Sequence, residues 1–334
     1  MKLVRLKAPG GLANLKLVEE EQPKPKTGEI LVRIRACSLN FRDNMIALGK
    51  KPCADGRIPL SDGAGDVIGI GDGVDGFEVG DAVISTYWPY WLGGEPTPAT
   101  KTGELGDDVD GYAREYVCMP AHGFTKAPAG YTHLEAATLT CAGVTAWRGV
   151  VVNGRVKPGE TVLVLGTGAV SIFALQFAKA AGARVIATSS SEEKLQKLKE
   201  LGADFLINYK TVPGWGQKAK DLTGGRGVDH VIEVGGPGTF AQSVAACSMG
   251  GHIALIGVLT GFVGEISIPA LFSNQICIHG VSIGSRADQL DMIQAIEANQ
   301  LKPVVDRSFP LQEIGAAFEY YGSQKHFGKV VVGL

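Results

Sequence analysis

The stretch Thr161-Val-Leu-Val-Leu165-Gly166-Thr-Gly168-Ala-Val-Ser171 decides the fold. Four apolar residues in unbroken succession after Thr161 describe a strand covered on both faces, as in a parallel sheet flanked by helices. The glycines that follow lead into a helical stretch from about Ala169 to Ala181, so the chain turns tightly from strand to helix. Gly166 serves the turn, and Gly168 lets a pyrophosphate come close to the backbone. The amides of Ala169 and Val170 then face that phosphate at a helix N-terminus. Ser171 stands where a third glycine is usual and is small enough for helix and strand to pack. A plain βα turn without ligand is the alternative reading of these residues taken alone.

The pattern continues downstream. Strands are expected at Arg184–Thr188, Phe205–Asn208, His230–Val234 and Ile253–Val258, with a last apolar run at Ile276–Ile283. Helices are expected at Ser191–Leu201 and around Phe240–Met249. Alternating strands and helices mean βαβ units, and hence an α/β, doubly wound parallel sheet that binds a dinucleotide. Upstream, from Lys2 to about Lys126, the chain reads as β-rich, with short runs such as Glu29–Arg35, Asp66–Ile70 and Asp81–Ile84 between glycine turns. Tyr87–Asp110 has neither period and is expected to be a loop. Its Tyr87, Trp88, Tyr90 and Trp91 either line an aromatic pocket or pack the loop onto the core. A helix near Asp288–Asn299 and a strand at Lys329–Val332 return to the first domain.

Composition narrows the function classes. The 334 residues are 45% hydrophobic and 20% charged, with a net charge of −2. That balance suits a globular protein and gives no field to attract nucleic acid or an anionic membrane. The six cysteines are too scattered for a disulfide framework or a CxxC metal site; Cys118 and His122 alone hardly make one. No stretch of 18 apolar residues and no N-terminal apolar segment occurs, so a soluble, cytoplasmic protein is expected.

The second expected strand ends in Ser189-Ser190-Ser191, without the acid that would bind an unphosphorylated ribose. Hydroxyls of Ser189 and Ser190, with Lys194 in the next helix, suit a 2′-phosphate instead. NADP(H) is therefore expected in preference to NAD(H). Alternatively, or at the same time, Ser190 caps the helix and Glu193 closes a capping box.

GTGAVS, together with CAGVTAW (Cys141–Trp147), GVDHVIEVGG and a closing HFGKVVV, resembles the medium-chain dehydrogenase/reductase superfamily over essentially the whole chain. SLNFRD (Ser38–Asp43) resembles its zinc-free quinone- and enone-reductase branches. The chain is also similar to bacterial proteins described as zinc-type alcohol dehydrogenase-like. The resemblance implies a GroES-like catalytic domain over residues 1–126 and 270–334 and a Rossmann domain over 127–269. Zinc members carry a cysteine in a CHTD-like segment and a histidine in GHE. Here those segments read Asn40-Phe41-Arg42-Asp43 and Leu60-Ser61-Asp62, and Asn and Ser cannot stand in for thiolate and imidazole. Tyr87–Asp110 also lacks the cysteines of a structural zinc lobe, so no metal is expected.

The resemblance further implies that Asn40 lies beside the nicotinamide, with Thr145 near its ribose or the pyrophosphate. It places Tyr209 near the adenosine phosphate. Val258, Ile283, Gly284 and Ser285 frame the nicotinamide and Phe327 closes the far side, with Arg286 as a further contact. Tyr209 has a bland alternative as a half-buried aromatic at a strand end, Asp43 as a local cap and Arg286 as a solvated charge.

Without a metal Lewis acid, alkoxide lacks its usual stabilisation. Hydride addition to a quinone or conjugated alkene needs only a positioned donor at the distant oxygen. Asn40 is the candidate donor, with Asp43 as its catalytic neighbour. The expected activity is reduction of a small carbonyl, enone or quinone by NADPH. The alternatives are a zinc-free alcohol or aldehyde dehydrogenase-like enzyme and a non-catalytic NADPH-binding redox sensor. The apolar run Ile276–Ile283, placed at a sheet edge, predicts a homodimer through that edge.

Overall fold

The computed structural model describes all residues, Met1–Leu334. The chain divides into two compact units, Met1–Val144 with Gly284–Leu334, and Thr145–Ile283. Both crossings fall later in the chain than the expected 126/127 and 269/270. Thr140 is tied to the first unit through its hydroxyl on the Ser85 carbonyl, 2.9 Å. Residues 277–280 form a strand of the second unit's sheet and hold the chain there.

The first unit opens with β1 (Lys2–Leu6) and β2 (Leu15–Glu19), an antiparallel pair. Next come β3 (Glu29–Ser38), α1 (Phe41–Ala47), β4 (Asp62–Ile70), β5 (Ala82–Ser85), β6 (Tyr116–Pro120), β7 (Phe124–Lys126) and the single turn α2 (His133–Ala136). β3 is the longest strand and pairs antiparallel with β4 and β6. Its alternating pattern puts Ile30, Val32 and Ile34 into a core with Val67, Val83 and Phe124. Residues 87–110 contain no helix or strand, as their mixed composition predicts.

The second unit begins with α3 (Val144–Trp147), which spans the crossing, and then runs as β8 (Thr161–Leu165), α4 (Ala169–Ala180), β9 (Arg184–Ser189), α5 (Glu192–Glu200), β10 (Phe205–Asn208), α6 (Trp215–Leu222), β11 (Val228–Glu233), α7 (Pro237–Ala246), β12 (Cys247–Leu255), α8 (Ile268–Ser273) and β13 (Cys277–Gly280). All six strands are parallel, in the order β10-β9-β8-β11-β12-β13. This is the doubly wound order, in which the chain reverses direction beside the first strand. Every residue of β8 is buried, which is why it reads as a continuous apolar run. The expected helix at 240–249 instead starts at Pro237 and ends at Ala246. Proline is preorganised for the first helical turn, and Cys247 already belongs to β12. The run Ile276–Ile283 yields a strand only at Cys277–Gly280, and that strand is the sheet edge.

The chain returns to the first unit through α9 (Arg286–Asn299), β14 (Val305–Pro310), α10 (Ile314–Gly322) and β15 (Lys329–Gly333). α9 starts earlier than expected because Ser285 and Asp288 form a capping box. β15 inserts between β14 and β3, completing a seven-stranded sheet. No helix is long and apolar enough to cross a membrane.

Candidate functional site

In the second unit, the turn after β8 has the shape its glycines demand. Gly166 sits at φ 74°, in the left-handed region, and its amide donates to the Thr188 hydroxyl at 3.2 Å. A Cβ placed on Gly166 or on Gly168 would meet nothing within 4 Å, so open space lies over the turn. Gly168 caps α4, and the first-turn amides at Ala169 and Val170 have no acceptor within the helix. Ser171 is buried and donates to the Leu165 carbonyl at 2.7 Å, locking helix to strand.

β9 and β10 bring the expected phosphate-side residues together. Asn208 is in register with Ser189, and the Tyr209 amide donates to the Ser189 carbonyl at 3.1 Å. Tyr209 is 41% exposed, a half-buried aromatic at the strand end, while Ser189 is buried and its hydroxyl accepts from the Ser191 amide at 3.3 Å. The helix cap is Ser191, not Ser190, since its hydroxyl accepts from the Lys194 amide at 3.4 Å. Ser190 is thereby released from capping and half-exposed beside the first turn that carries Lys194.

Glu233, fully buried at the end of β11, shapes the neighbouring turn. Its carboxylate accepts from the amides of Gly235 at 2.7 Å and Gly236 at 2.9 Å, from the Thr239 hydroxyl at 2.6 Å, and from Ser243. The Glu233 carbonyl in turn accepts from the Ile256 and Gly257 amides, which fixes the chain just before Val258. Thr145 is buried in α3.

In the first unit, Asn40 and Asp43 meet at the start of α1. The Asn40 amide donates to Asp43 Oδ2 at 2.9 Å, so Asp43 does act as a local cap. Burial pushes the Asp43 carboxyl up to about 6, against the opposing pull of Arg42; Asp62 raises it further and Lys329 lowers it. Around Asn40 lies a polar cluster that motif reading missed. The Lys329 ammonium, 1% exposed, donates to the Leu39 carbonyl at 3.0 Å, to Asn40 Oδ1 at 2.8 Å and to Asp62 Oδ2 at 3.3 Å. Asp62 also accepts from the hydroxyls of Ser38 at 2.7 Å and Ser61 at 2.8 Å. Asn40 Nδ2 reaches Ser61 Oγ at 3.4 Å. The Cys141 thiol is held high by its burial and by Asp62, with Lys329 pulling the other way. The available signal was a lysine opening an apolar run read as a covered strand, since a buried ammonium requires a partner.

The segment bearing Ser61 and Asp62 is wedged in place. Leu60, fully buried, has φ 75°, a conformation costly for a branched residue. Gly111 packs so closely that a Cβ there would lie 2.1 Å from the Leu60 carbonyl oxygen, and Gly106 approaches the same residue.

The remaining expected residues are placed as follows. Ile283 ends the second unit with φ 61°, a strained setting for a β-branched residue. Gly284, Ser285 and Phe327 are buried in the first unit, Ser285 as the cap of α9. Arg286 is no solvated charge: its amide donates to the Trp91 carbonyl at 2.8 Å and its Nε to the Phe124 carbonyl at 3.2 Å. Tyr87, Trp88 and Trp91 are buried and pack the 87–110 loop down, leaving Tyr90 exposed. Arg42 lies over the Tyr87 ring at 5.1 Å, and the Tyr87 hydroxyl donates to Glu104 at 2.6 Å.

Comparison with known proteins agrees with this architecture. The sequence profile of the GroES-like alcohol dehydrogenase domain matches residues 26–129, and that of the zinc-binding dehydrogenases matches residues 169–298. A zinc-type alcohol dehydrogenase-like protein of Schizosaccharomyces pombe is 44% identical, over 96% of either chain. An acryloyl-coenzyme A reductase of Sulfurisphaera tokodaii is 29% identical, over 97% of this chain and 98% of the relative. A crystal structure of an NAD-dependent alcohol dehydrogenase superposes with a TM-score of 0.91 at 33% identity, over 100% of both chains. The chain belongs to the medium-chain dehydrogenase/reductase superfamily and is an NAD(P)-dependent oxidoreductase.

Proposed function

We propose that the protein is a cytoplasmic, zinc-free homodimeric reductase that uses NADPH to reduce a quinone or an α,β-unsaturated carbonyl compound. The observation that carries this reading is the polar cluster of the first unit. The family's zinc-binding description implies a metal, but the donor set does not fit one. Asn40 and Ser61 are poor zinc ligands, a buried ammonium already supplies positive charge there, and no three His, Cys, Asp or Glu side chains converge to hold an ion.

The open space over Gly166 and Gly168 fits a dinucleotide pyrophosphate, with the Ala169 and Val170 amides as donors. Ser189, Ser190 and Lys194 would hold the 2′-phosphate, and Tyr209 would flank the adenosine. Bound NADPH supplies a hydride to the electrophilic carbon of the substrate. The chain's task is then to stabilise the charge that develops on the substrate oxygen, which Asn40 Nδ2 does by donating a hydrogen bond. Proton delivery comes from solvent. Asp43 holds the backbone of Asn40 and keeps the amide in place. The acryloyl-coenzyme A reductase relative favours an activated alkene, while the alcohol dehydrogenase relatives keep a zinc-free alcohol dehydrogenase as the second reading.

Single-turnover oxidation of NADPH by enone, quinone and aldehyde acceptors tests the assignment. Asn40→Ala should slow hydride transfer about a hundred-fold, the scale for losing one oxyanion donor. Cofactor affinity should barely change. An unchanged rate with a lowered melting temperature would reduce Asn40 to a scaffold residue.

A further inference from the structure

We infer that Lys329 is a positioning residue for this chemistry, its buried ammonium orienting and polarising the Asn40 carboxamide so that the Nδ2 end is offered to the substrate oxygen. The inference rests on the donor role proposed for Asn40 and adds a second residue, remote in sequence, on which that role depends.

An ammonium has three donors and no acceptor. At Lys329 all three are engaged, by the Leu39 carbonyl, Asn40 Oδ1 and Asp62 Oδ2. The carboxamide flip of Asn40 is therefore fixed by chemistry, since only Oδ1 can face Nζ at 2.8 Å. Nδ2 must then point the other way. One of its protons reaches toward Ser61 Oγ at 3.4 Å, a long contact, and no protein acceptor meets the other. Ser61 donates its own proton to Asp62, so its lone pairs are what Asn40 sees. The hydroxyls thus agree with the ammonium on one orientation.

Polarity follows from the same geometry. A cation on Oδ1 draws electron density from the amide nitrogen and strengthens Nδ2 as a donor, because linked hydrogen bonds reinforce one another. Charge-assisted bonds are roughly twice as strong as neutral ones. Asp62, fully buried with both oxygens hydrogen-bonded, neutralises Lys329 without touching the Asn40 amide. Lys329 itself is saturated with acceptors and stays where it is, acting through Asn40.

The test must separate this role from simple charge pairing, because Lys329→Met alone leaves Asp62 buried and unpaired. The double variant Lys329→Met/Asp62→Asn removes both charges together, and Lys329→Gln/Asp62→Asn serves in its place where the first does not fold. Single-turnover rates, NADPH affinity and melting temperature are measured for the double variant, for Asn40→Ala and for the combination. The expected result is a folded double variant with unchanged NADPH affinity and hydride transfer slowed ten-fold or more. In that background Asn40→Ala should cost much less rate than it does in the wild type, the non-additivity of two residues acting as one. A double variant at the wild-type rate, while Asn40→Ala alone is slow, would overturn the role of Lys329 and leave that of Asn40 standing. Asn40→Ala at the wild-type rate would instead overturn the donor reading, and this inference with it.

Discussion

Acid should loosen the dinucleotide-binding unit through one residue, His252. It lies on β12, with His230 opposite it on β11 and Cys277 opposite it on β13. Ring centroids are 5.6 Å apart for His230 and His252, and 5.1 Å for His252 and His279. His252 is 7% exposed and neither ring nitrogen has a partner. Burial, then the neighbouring His230 and His279, push its pKa from 6.5 down to about 4. Between those values the unfolded chain binds a proton that the folded chain refuses, so stability is complete above 6.5 and is lost as pH falls. A tenfold difference in proton affinity between the folded and unfolded chains is worth about 1.4 kcal/mol, so the loss is about 2 kcal/mol at pH 5 and about 3 kcal/mol at pH 4. His252→Leu removes the titration and the unpaired nitrogens at similar volume. Urea denaturation of both proteins from pH 7 to 4 isolates the effect, because titrating groups remote from position 252 cancel in the difference. The variant should gain on the wild type by the amounts above as pH falls. Parallel curves for the two proteins would refute the argument.

Lys194→Ala should weaken NADPH about ten-fold or more and leave NADH nearly unchanged, on the scale of one charged hydrogen bond; equal losses in titrations of both cofactors would remove the 2′-phosphate assignment. Metal analysis of the purified protein should find no stoichiometric zinc, and chelators should leave turnover intact. A zinc whose removal abolishes activity would overturn the reductase reading. Light scattering at micromolar concentration should give a homodimer, since β13 pairs only with β12 and leaves an unpaired edge, while Met249 on β12 and Phe272 on α8 are exposed. A monomer would count against edge pairing.

The second unit was the more legible in sequence. Its first strand is buried along its whole length and the turn after it is dictated by glycine, so the order of residue types shows TVLVLGTGAVS as strand, turn and helix. Element ends were harder: Pro237 starts a helix that periodicity began at Phe240, because the proline adds no apolar signal of its own. The first unit hid more. Asn40 was visible because it replaces an expected ligand, but its partner Lys329 lies at the far end of the chain, and β15 reaches Asn40 only through pairing with β3. Ser61 was read for what it could not ligate, and the charge on the adjoining Asp62 was not weighed. The cap at Ser191 was missed by one residue because three serines in a row offer equal chemistry, and only backbone geometry chooses among them.

Leu60, held at φ 75° with Gly106 and Gly111 pressed against it, bears on how this site can change over generations. A side chain at position 111 would have nowhere to go without moving Leu60, and Ser61 and Asp62 follow directly in the chain. Substitutions there would reach the Asn40 cluster without altering any residue in it. Exploration of new substrates by this chain is therefore channelled: position 60 can drift only when its two glycine neighbours permit it, and variants that repack this corner should arise as coordinated sets rather than as single steps.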